Sequence, residues 1–267
     1  MLQTVPMTLT TCVLGSVIGS FVALVADRWP RGEDIIVAPS RCRTCGHRLG
    51  PANLVPVISY CLQRGRCVRC RAALPADLVL AELCGAGIAW LALARAPDLP
   101  GPHLAGMVAL AIFGWGLLLL ALLDARHLWL PDAITLPLAL AGLAAAAILP
   151  EPTLAARLGG ALLGYAALEG LRRAYRAWRG REGLGGGDPK LLAAIGAWLG
   201  AASLPGIVLV AALLGLGWAG LERLRGRPAG GAVPIPLGTA LAISALLWLT
   251  FAPWAQSIIG NEFGLLR

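Results

Sequence analysis

The residues with the most evident chemistry are five acidic side chains inside or at the ends of apolar runs. They are Glu82, Asp124, Asp132, Glu169 and Asp188. Acids in such positions are costly in a membrane and by default indicate function. Two carboxylates held side by side can share one proton, so that the ionised member activates water while the protonated member polarises a carbonyl group. An aspartic protease needs such a pair.

Asp124 and Asp132 flank one short polar turn, and their positions have different explanations. Asp132 follows Pro131 at the start of an apolar run, where the helix dipole favours an acid, so a structural role is the better interpretation. Asp124 ends the apolar run 104–123, and the C-terminal end of a helix disfavours a negative charge. The position of Asp124 therefore indicates a functional carboxylate.

Asp188 follows a glycine-rich segment that reads Gly183-Leu184-Gly185-Gly186-Gly187-Asp188-Pro189-Lys190. Glycines such as Gly185 and Gly187 open backbone conformations closed to other residues and let a substrate strand approach. A plainer interpretation is a flexible loop whose aspartate caps a helix beginning at Pro189, and capping is compatible with catalysis. Topology permits Asp124 and Asp188 to meet, but the sequence alone leaves their meeting open.

Four cysteines form two Cys-x-x-Cys pairs, Cys42 with Cys45 and Cys67 with Cys70, in the polar segment 27–76. Four thiolates at this spacing suit a tetrahedral zinc ion. Disulfides are the alternative, but they rarely persist in the reducing compartment to which the charge pattern assigns this segment. A site closed by four cysteines leaves no position for substrate, so we expect it to support folding.

The elements that must position these residues are apolar helices. Of 267 residues, 58% are apolar and 13% charged, against roughly 25% charged in soluble domains. The apolar runs are 6–26, 78–96, 104–123, 133–149, 154–171, 190–203, 204–221 and 235–252. Most approach the roughly 20 residues that cross a bilayer, while Gly200 and Pro205 interrupt one pair, which we expect to be broken or re-entrant. The sequence predicts an all-α polytopic membrane protein with about eight transmembrane helices and a small zinc-bound cytoplasmic domain between the first two.

The net charge of +8 is better explained by membrane topology than by nucleic-acid binding, because of where the basic residues lie in the sequence. With an external N-terminus and eight crossings, 19 of the 22 Lys and Arg residues face the cytoplasm, including Arg227, and only Arg95, Arg157 and Arg267 face out. We therefore expect membrane lipids, and no nucleic acid, as partners.

At this point the chain resembles a known family, the type IV prepilin peptidases, which belong to the Gly-x-Gly-Asp intramembrane aspartic proteases. The resemblance rests on Gly19-Ser20-Phe21, the cysteine pairs, residues 53–60, Gly65-Arg66-Cys67, Glu82-Leu83, and residues 124–137, 185–200 and 235–238. These motifs follow one another in order along nearly the whole chain.

The resemblance implies that Asp124 and Asp188 are the catalytic pair, the second within a Gly-Asp-x-Lys motif that includes Lys190. It implies that Cys42, Cys45, Cys67 and Cys70 bind zinc. Members of the family cleave the basic leader of type IV prepilins or type II secretion pseudopilins after a glycine. They do so at the cytoplasmic face of the bacterial inner membrane.

Many members also methylate the new N-terminus with S-adenosylmethionine, and one departure bears on that activity. Members with both functions commonly carry Gly-Lys and Tyr-Pro before the glutamate, where this chain reads Pro75-Ala76-Asp77-Leu78-Val79 before Glu82. We therefore leave methylation open. The family also often has Phe-Gly-Pro where this chain has Leu237-Gly238-Thr239, a change we expect to be tolerated because it spares the carboxylates.

We accordingly divide the chain into a first transmembrane helix (1–26), a cytoplasmic zinc-binding domain (27–76) and a transmembrane aspartic protease domain (77–267). Two alternatives stay open. One is a transporter or channel whose broken helix lines a path and whose loop is stabilised by zinc. The other is a membrane methyltransferase without proteolysis, although we find no cofactor-binding motif for it.

Overall fold

The computed structural model describes residues 4–95, 103–149, 151–225 and 236–263; Arg227, Ile235 and Arg267 lie outside them. The α-helices in these ranges are α1 (Thr4–Arg28), α2 (Ile58–Leu62), α3 (Ala76–Arg95), α4 (His103–His127), α5 (Asp132–Ala144), α6 (Leu154–Arg179), α7 (Asp188–Leu199), α8 (Leu204–Leu224) and α9 (Leu237–Phe263). Apart from the short α2, each corresponds to one predicted apolar run, and the described residues form no β-strand beyond isolated bridges. The all-α prediction is confirmed.

Several of these helices are long and apolar enough to cross a bilayer, which makes the chain a multi-pass membrane protein. Within the described ranges the candidates are Pro6–Arg31, Ala76–Arg95, His103–His127 and Ala201–Leu224, with shorter apolar helices at Asp132–Ala147 and Leu237–Phe251.

Helix α7 has only 12 residues, about 18 Å at the usual rise, against about 30 Å of hydrocarbon. It ends at Gly200, where φ is 77°, so the predicted interruption at Gly200 is confirmed.

The helices form two compact units, residues 1–122 and residues 123–267. The division falls near the C-terminal end of α4. The first unit therefore holds the cysteine segment, while Asp124 and Asp188 both belong to the second.

In the first unit, glycines let the backbones of α1 and α3 touch. A side-chain carbon at Gly19 would lie 2.3 Å from the carbonyl oxygen of Ala81, and one at Gly15 would lie 2.6 Å from that of Gly85. Small residues in such positions are typical of membrane helices, which associate through close van der Waals contact. The Gly19 motif of the sequence is therefore a packing position.

In the second unit, α7 packs against α6 in the same way. A side-chain carbon at Gly196 would lie 2.3 Å from the carbonyl oxygen of Gly160, and one at Gly164 would lie 2.7 Å from that of Leu192. These close approaches fix α7, and with it the position of Asp188 at its start.

Arg157 on α6 is fully buried and connects the ends of several segments. Its guanidinium donates hydrogen bonds to six backbone carbonyl oxygens, those of Pro152 (2.8 Å), Gly142 (3.0 Å), Trp198 (3.1 Å), Leu149 (3.2 Å), Ala197 (3.3 Å) and Glu151 (3.3 Å). Three of these carbonyls, those of Gly142, Ala197 and Trp198, lie in the last turns of α5 and α7. A cation is also favoured at a helix C-terminus, so Arg157 caps two helices at once.

Replacement of Arg157 by methionine is expected to destabilise the protein strongly. Methionine fills similar space but donates nothing, so buried carbonyls lose their partners at a cost of at least about 3 kcal/mol in unfolding free energy. Thermal unfolding of the purified protein in detergent measures the change. Arg176→Met on the same helix is the control, because the Arg176 side chain is 66% exposed. Equal stability of the two variants would contradict the capping role.

Candidate active site

Asp124 lies in the last turn of α4 and is 4% exposed. Its Oδ2 accepts two hydrogen bonds from Thr239 in the first turn of α9, one from the backbone N–H at 2.6 Å and one from the hydroxyl at 3.0 Å. Backbone N–H groups in a first turn have no partner within their helix and attract anions. The carboxylate at the unfavourable end of α4 therefore meets the favourable end of α9.

Asp188 is the first residue of α7, one residue before the expected start at Pro189, and it is buried. Its Oδ2 accepts a hydrogen bond from the N–H of Gly185 at 3.1 Å. A side-chain carbon at Gly185 would lie 3.0 Å from the same oxygen. The glycine loop therefore curls directly around the carboxylate.

Leu130 connects the surroundings of the two aspartates. A side-chain carbon at Gly187 would lie 2.6 Å from Cβ of Leu130, and one at Gly238 would lie 2.8 Å from its Cδ1 and 3.0 Å from Cγ of Asp124. Glycine at both positions leaves room for Leu130 between the glycine loop and the start of α9. Burial, and then the nearby charge of Asp124, raise the pKa of Asp188 to about 7. The structure thus brings Asp124 and Asp188 together.

Lys190 and Asp132 join the first turns of α7 and α5. The ammonium nitrogen of Lys190 lies 2.7 Å from both carboxylate oxygens of Asp132. Asp132 is the first residue of α5, as expected for an acid favoured by the helix dipole. The structure adds an ion pair, two residues from Asp188, that the sequence did not predict.

The two remaining acidic candidates have partners of their own. In the first unit, Glu82 accepts hydrogen bonds from the hydroxyl of Ser20 at 2.8 Å and the N–H of Val57 at 2.7 Å. In the second unit, Glu169 on α6 pairs with Arg172 and with the arginine that follows it. Both glutamates are therefore held by hydrogen bonds or ion pairs to residues other than the two aspartates.

Thr239 is the residue at this site that the sequence analysis underestimated. It appeared only in the departure Leu237-Gly238-Thr239, which we expected to be tolerated. The one local signal is a threonine beside a glycine at the start of the last apolar run. That signal does not predict the contact of Thr239 with Asp124, which lies 115 residues away in the sequence.

The second chemical site is the cluster of Cys42, Cys45, Cys67 and Cys70. Their four Sγ atoms lie within 4.8 Å of one another, with 3.8 Å between Cys42 and Cys70 and 4.0 Å between Cys45 and Cys67. Sulfurs about 2.3 Å from a tetrahedral zinc ion lie about 3.8 Å apart. The side chains therefore fit a metal ion bound by four cysteines.

The backbone also prepares the first cysteine of each pair, Cys42 and Cys67, to act as a metal ligand. Amides of the third and second residues after Cys42 lower the pKa of that thiol to about 6, and the equivalent amides lower the pKa of Cys67. The N–H of Gly46 donates to the carbonyl of Cys42, and that of Arg71 to the carbonyl of Cys67. Gly46 and Arg71 both have positive φ, 69° and 60°, so the two pairs form matching turns.

Apolar helices with buried aspartates at their ends, Asp124 in the last turn of α4 and Asp188 at the start of α7, are those of a multi-pass membrane protein with a candidate carboxylate site. The chain belongs to the type IV leader peptidase family: residues 111–220 match the model of that family, and residues 13–96 match the bacterial peptidase A24 N-terminal domain. The family resemblance found in the sequence is confirmed.

Relatives named prepilin leader peptidase/N-methyltransferase are similar over most of their length. The chain is 38% identical to one from Dichelobacter nodosus, over 86% of this chain and 76% of the relative. It is 38% identical to one from Burkholderia pseudomallei, over 93% and 87%, and 33% identical to one from Pseudomonas aeruginosa, over 90% of each. No solved structure matches.

Proposed function

We propose that this chain is a prepilin leader peptidase that hydrolyses one peptide bond with Asp124 and Asp188. The observation that carries the proposal is that Leu130 lies against both the loop that precedes Asp188 and the start of α9 beside Asp124, so the two buried carboxylates have a neighbour in common. Membership of the leader peptidase family and the names of the relatives support the same activity. They do not favour a transporter or channel.

The pair works by sharing one proton. The ionised carboxylate takes a proton from water as the water oxygen bonds to the scissile carbonyl carbon, while the protonated carboxyl hydrogen-bonds to the carbonyl oxygen. When the carbon–nitrogen bond breaks, the leaving nitrogen takes up a proton. Gly185 and Gly187 leave the loop open to the substrate backbone, and Lys190 steadies the first turn of α7.

The proposed substrates are type IV prepilins or type II secretion pseudopilins, cut after a glycine that ends a basic leader. We place the reaction at the cytoplasmic face of the bacterial inner membrane. The distribution of basic residues supports this orientation. We also propose the division of the chain into 1–26, 27–76 and 77–267. Its proposed partners besides the substrate are membrane lipids, and not nucleic acid.

Zinc is the metal that we propose for the four cysteines, with a structural role. Four thiolates close its tetrahedral coordination, so this site binds no substrate. The relatives' names also include N-methyltransferase. Methylation of the new N-terminus with S-adenosylmethionine is therefore the second activity to be tested.

Incubation of the purified full-length protein with a model prepilin, with and without S-adenosylmethionine, tests both activities by product mass. We expect a product shortened by its leader in both samples, and one methyl group heavier with the cofactor if the second activity is present. An uncut substrate would overturn the proposal. An uncut but methylated substrate would indicate a methyltransferase alone, and ion flux in liposomes without cleavage would indicate a transport protein.

Loss of the Asp132–Lys190 ion pair is expected to have a modest effect. Both side chains are partly exposed, at 54% and 33%, and such pairs contribute about 0.2–1 kcal/mol. Asp132→Asn and Lys190→Gln should each reduce kcat/KM for leader cleavage by less than about tenfold. Because the two residues act through one contact, the double variant should have a kcat/KM no lower than that of the less active single variant. A loss as complete as that expected for Asp188 would instead make Asp132 catalytic.

A further inference from the structure

The two aspartates differ in the donors that surround them. Oδ2 of Asp124 accepts both the N–H and the hydroxyl of Thr239, at 2.6 and 3.0 Å. Oδ2 of Asp188 accepts one N–H, that of Gly185, at 3.1 Å. A backbone N–H can only donate, so it favours the charged form of the carboxylate that it contacts.

Each aspartate also lies at or beside the N-terminal end of a helix, so the helix dipoles alone do not distinguish the two and the difference lies in the donors. Thr239 is the third residue of α9, so its N–H belongs to the positive end of the helix macrodipole. Asp188 is itself the first residue of α7 and receives its hydrogen bond from the preceding loop. Burial, and then the charge of Asp124, raise the pKa of Asp188, whereas the two donors of Thr239 oppose the effect of burial on Asp124 by favouring its charged form.

We propose that Thr239 is a positioning residue that holds Asp124 as the ionised member of the pair and so assigns the shared proton to Asp188. This inference rests on the proposed function. In the reaction, Asp124 then takes the proton from water as the new carbon–oxygen bond forms. Asp188 donates its hydrogen bond to the carbonyl oxygen, and the proton held by Asp124 passes to the nitrogen when the carbon–nitrogen bond breaks.

The ionisable groups around the pair come from several of the described helices. On α6, the guanidinium of Arg172 would lie 3.7 Å from a side-chain carbon at Gly186, and Arg172 is paired with Glu169 and lies near Glu182. On α7, Asp188 faces Asp124, and Lys190 is paired with Asp132 of α5. Helix α9 presents Thr239, which is neutral. Arg126 and His127 follow Asp124 on its own helix. Thr239 is therefore the group whose removal should change the ionisation of Asp124 most selectively.

The test is the pH dependence of kcat/KM for leader cleavage by full-length protein carrying Thr239→Val, Thr239→Ser or Thr239→Pro. Valine removes the hydroxyl and proline removes both donors, and proline is tolerated in the first turn of a helix. Without these bonds a proton binds Asp124 more tightly, so the acid limb of the profile should move to higher pH, by about one unit for valine and at least as much for proline. Serine keeps both donors and should restore the wild-type profile.

Thr250→Val is the matched control, since the hydroxyl of Thr250 donates to Leu246 within the same helix, and its acid limb should not move. Cleavage by Thr239→Val or Thr239→Pro with an unshifted acid limb would overturn the role of Thr239 while leaving the peptidase intact. If the wild-type protein leaves the prepilin uncut at every pH, the proposed function fails, and this inference fails with it.

Discussion

Replacement of either Asp124 or Asp188 by alanine is expected to abolish leader cleavage. One variant loses the carboxylate that activates water and the other loses the carboxyl that polarises the scissile carbonyl, so neither retains a complete pair. We expect kcat to fall by at least about a thousandfold, as for other catalytic groups that act as a unit. The measurement is the rate of leader release from a model prepilin, followed by product mass.

Folding must be separated from chemistry in these variants. Both should insert into the membrane and elute from size exclusion like the wild-type protein, because a buried carboxyl replaced by a small apolar side chain leaves no unpaired charge. Asp132→Asn is the comparison, because Asp132 is also an aspartate at a helix end. This variant is expected to retain much of the cleavage activity. Normal processing by either alanine variant would overturn the assignment of the pair.

Removal of the metal is expected to unfold the cysteine segment. Only short helices and turns lie between Cys42 and Cys70, and a segment this small cannot be held by an apolar core alone. Binding of a structural metal supplies the folding free energy in such domains. A strong chelator, or Cys42→Ser, should therefore make the segment sensitive to limited proteolysis.

Cys61→Ser is the control for the cysteine experiment. Cys61 lies in the same segment and is exposed, but it is not one of the four clustered cysteines. Its variant should keep wild-type protease resistance and lose it on chelation. If chelation leaves the resistance of the wild-type protein unchanged, the metal has no structural role.

The cysteine site was predictable from sequence because its determinants are local. Each pair lies within one turn, and the spacing of two such pairs is sufficient to predict tetrahedral coordination. Even here one detail escaped prediction. The glycine at position 46 indicates a left-handed turn, but the matching turn in the second pair is made by Arg71, a residue type that rarely adopts that conformation.

The sequence singled out each aspartate as a candidate, and it did not predict the contacts around them. Asp124 could be recognised from the unfavourable end of its helix and Asp188 from its glycine loop. The contact with Thr239 spans 115 residues and the Lys190 contact with Asp132 spans 58. Contacts between helix ends repeat with no period along the chain, so hydrophobic patterning does not report them.

Arg157 illustrates the same limit for the fold. Its isolated position between apolar runs indicated the outer side of the membrane and nothing more. Its six carbonyl partners come from segments that approach only after α5, α6 and α7 have packed. The capping role is therefore a property of the tertiary structure.

The most direct test of the central claim compares Asp124→Asn, Asp188→Asn and the double variant in one cleavage assay. Two carboxylates that share a proton act as one unit, so each single variant should lose about as much activity as the double variant. We predict three residual rates within about tenfold of one another, all at least about a thousandfold below the wild-type rate. Independent, multiplying losses, or a single variant that processes prepilin normally, would show that Asp124 and Asp188 do not form one catalytic pair.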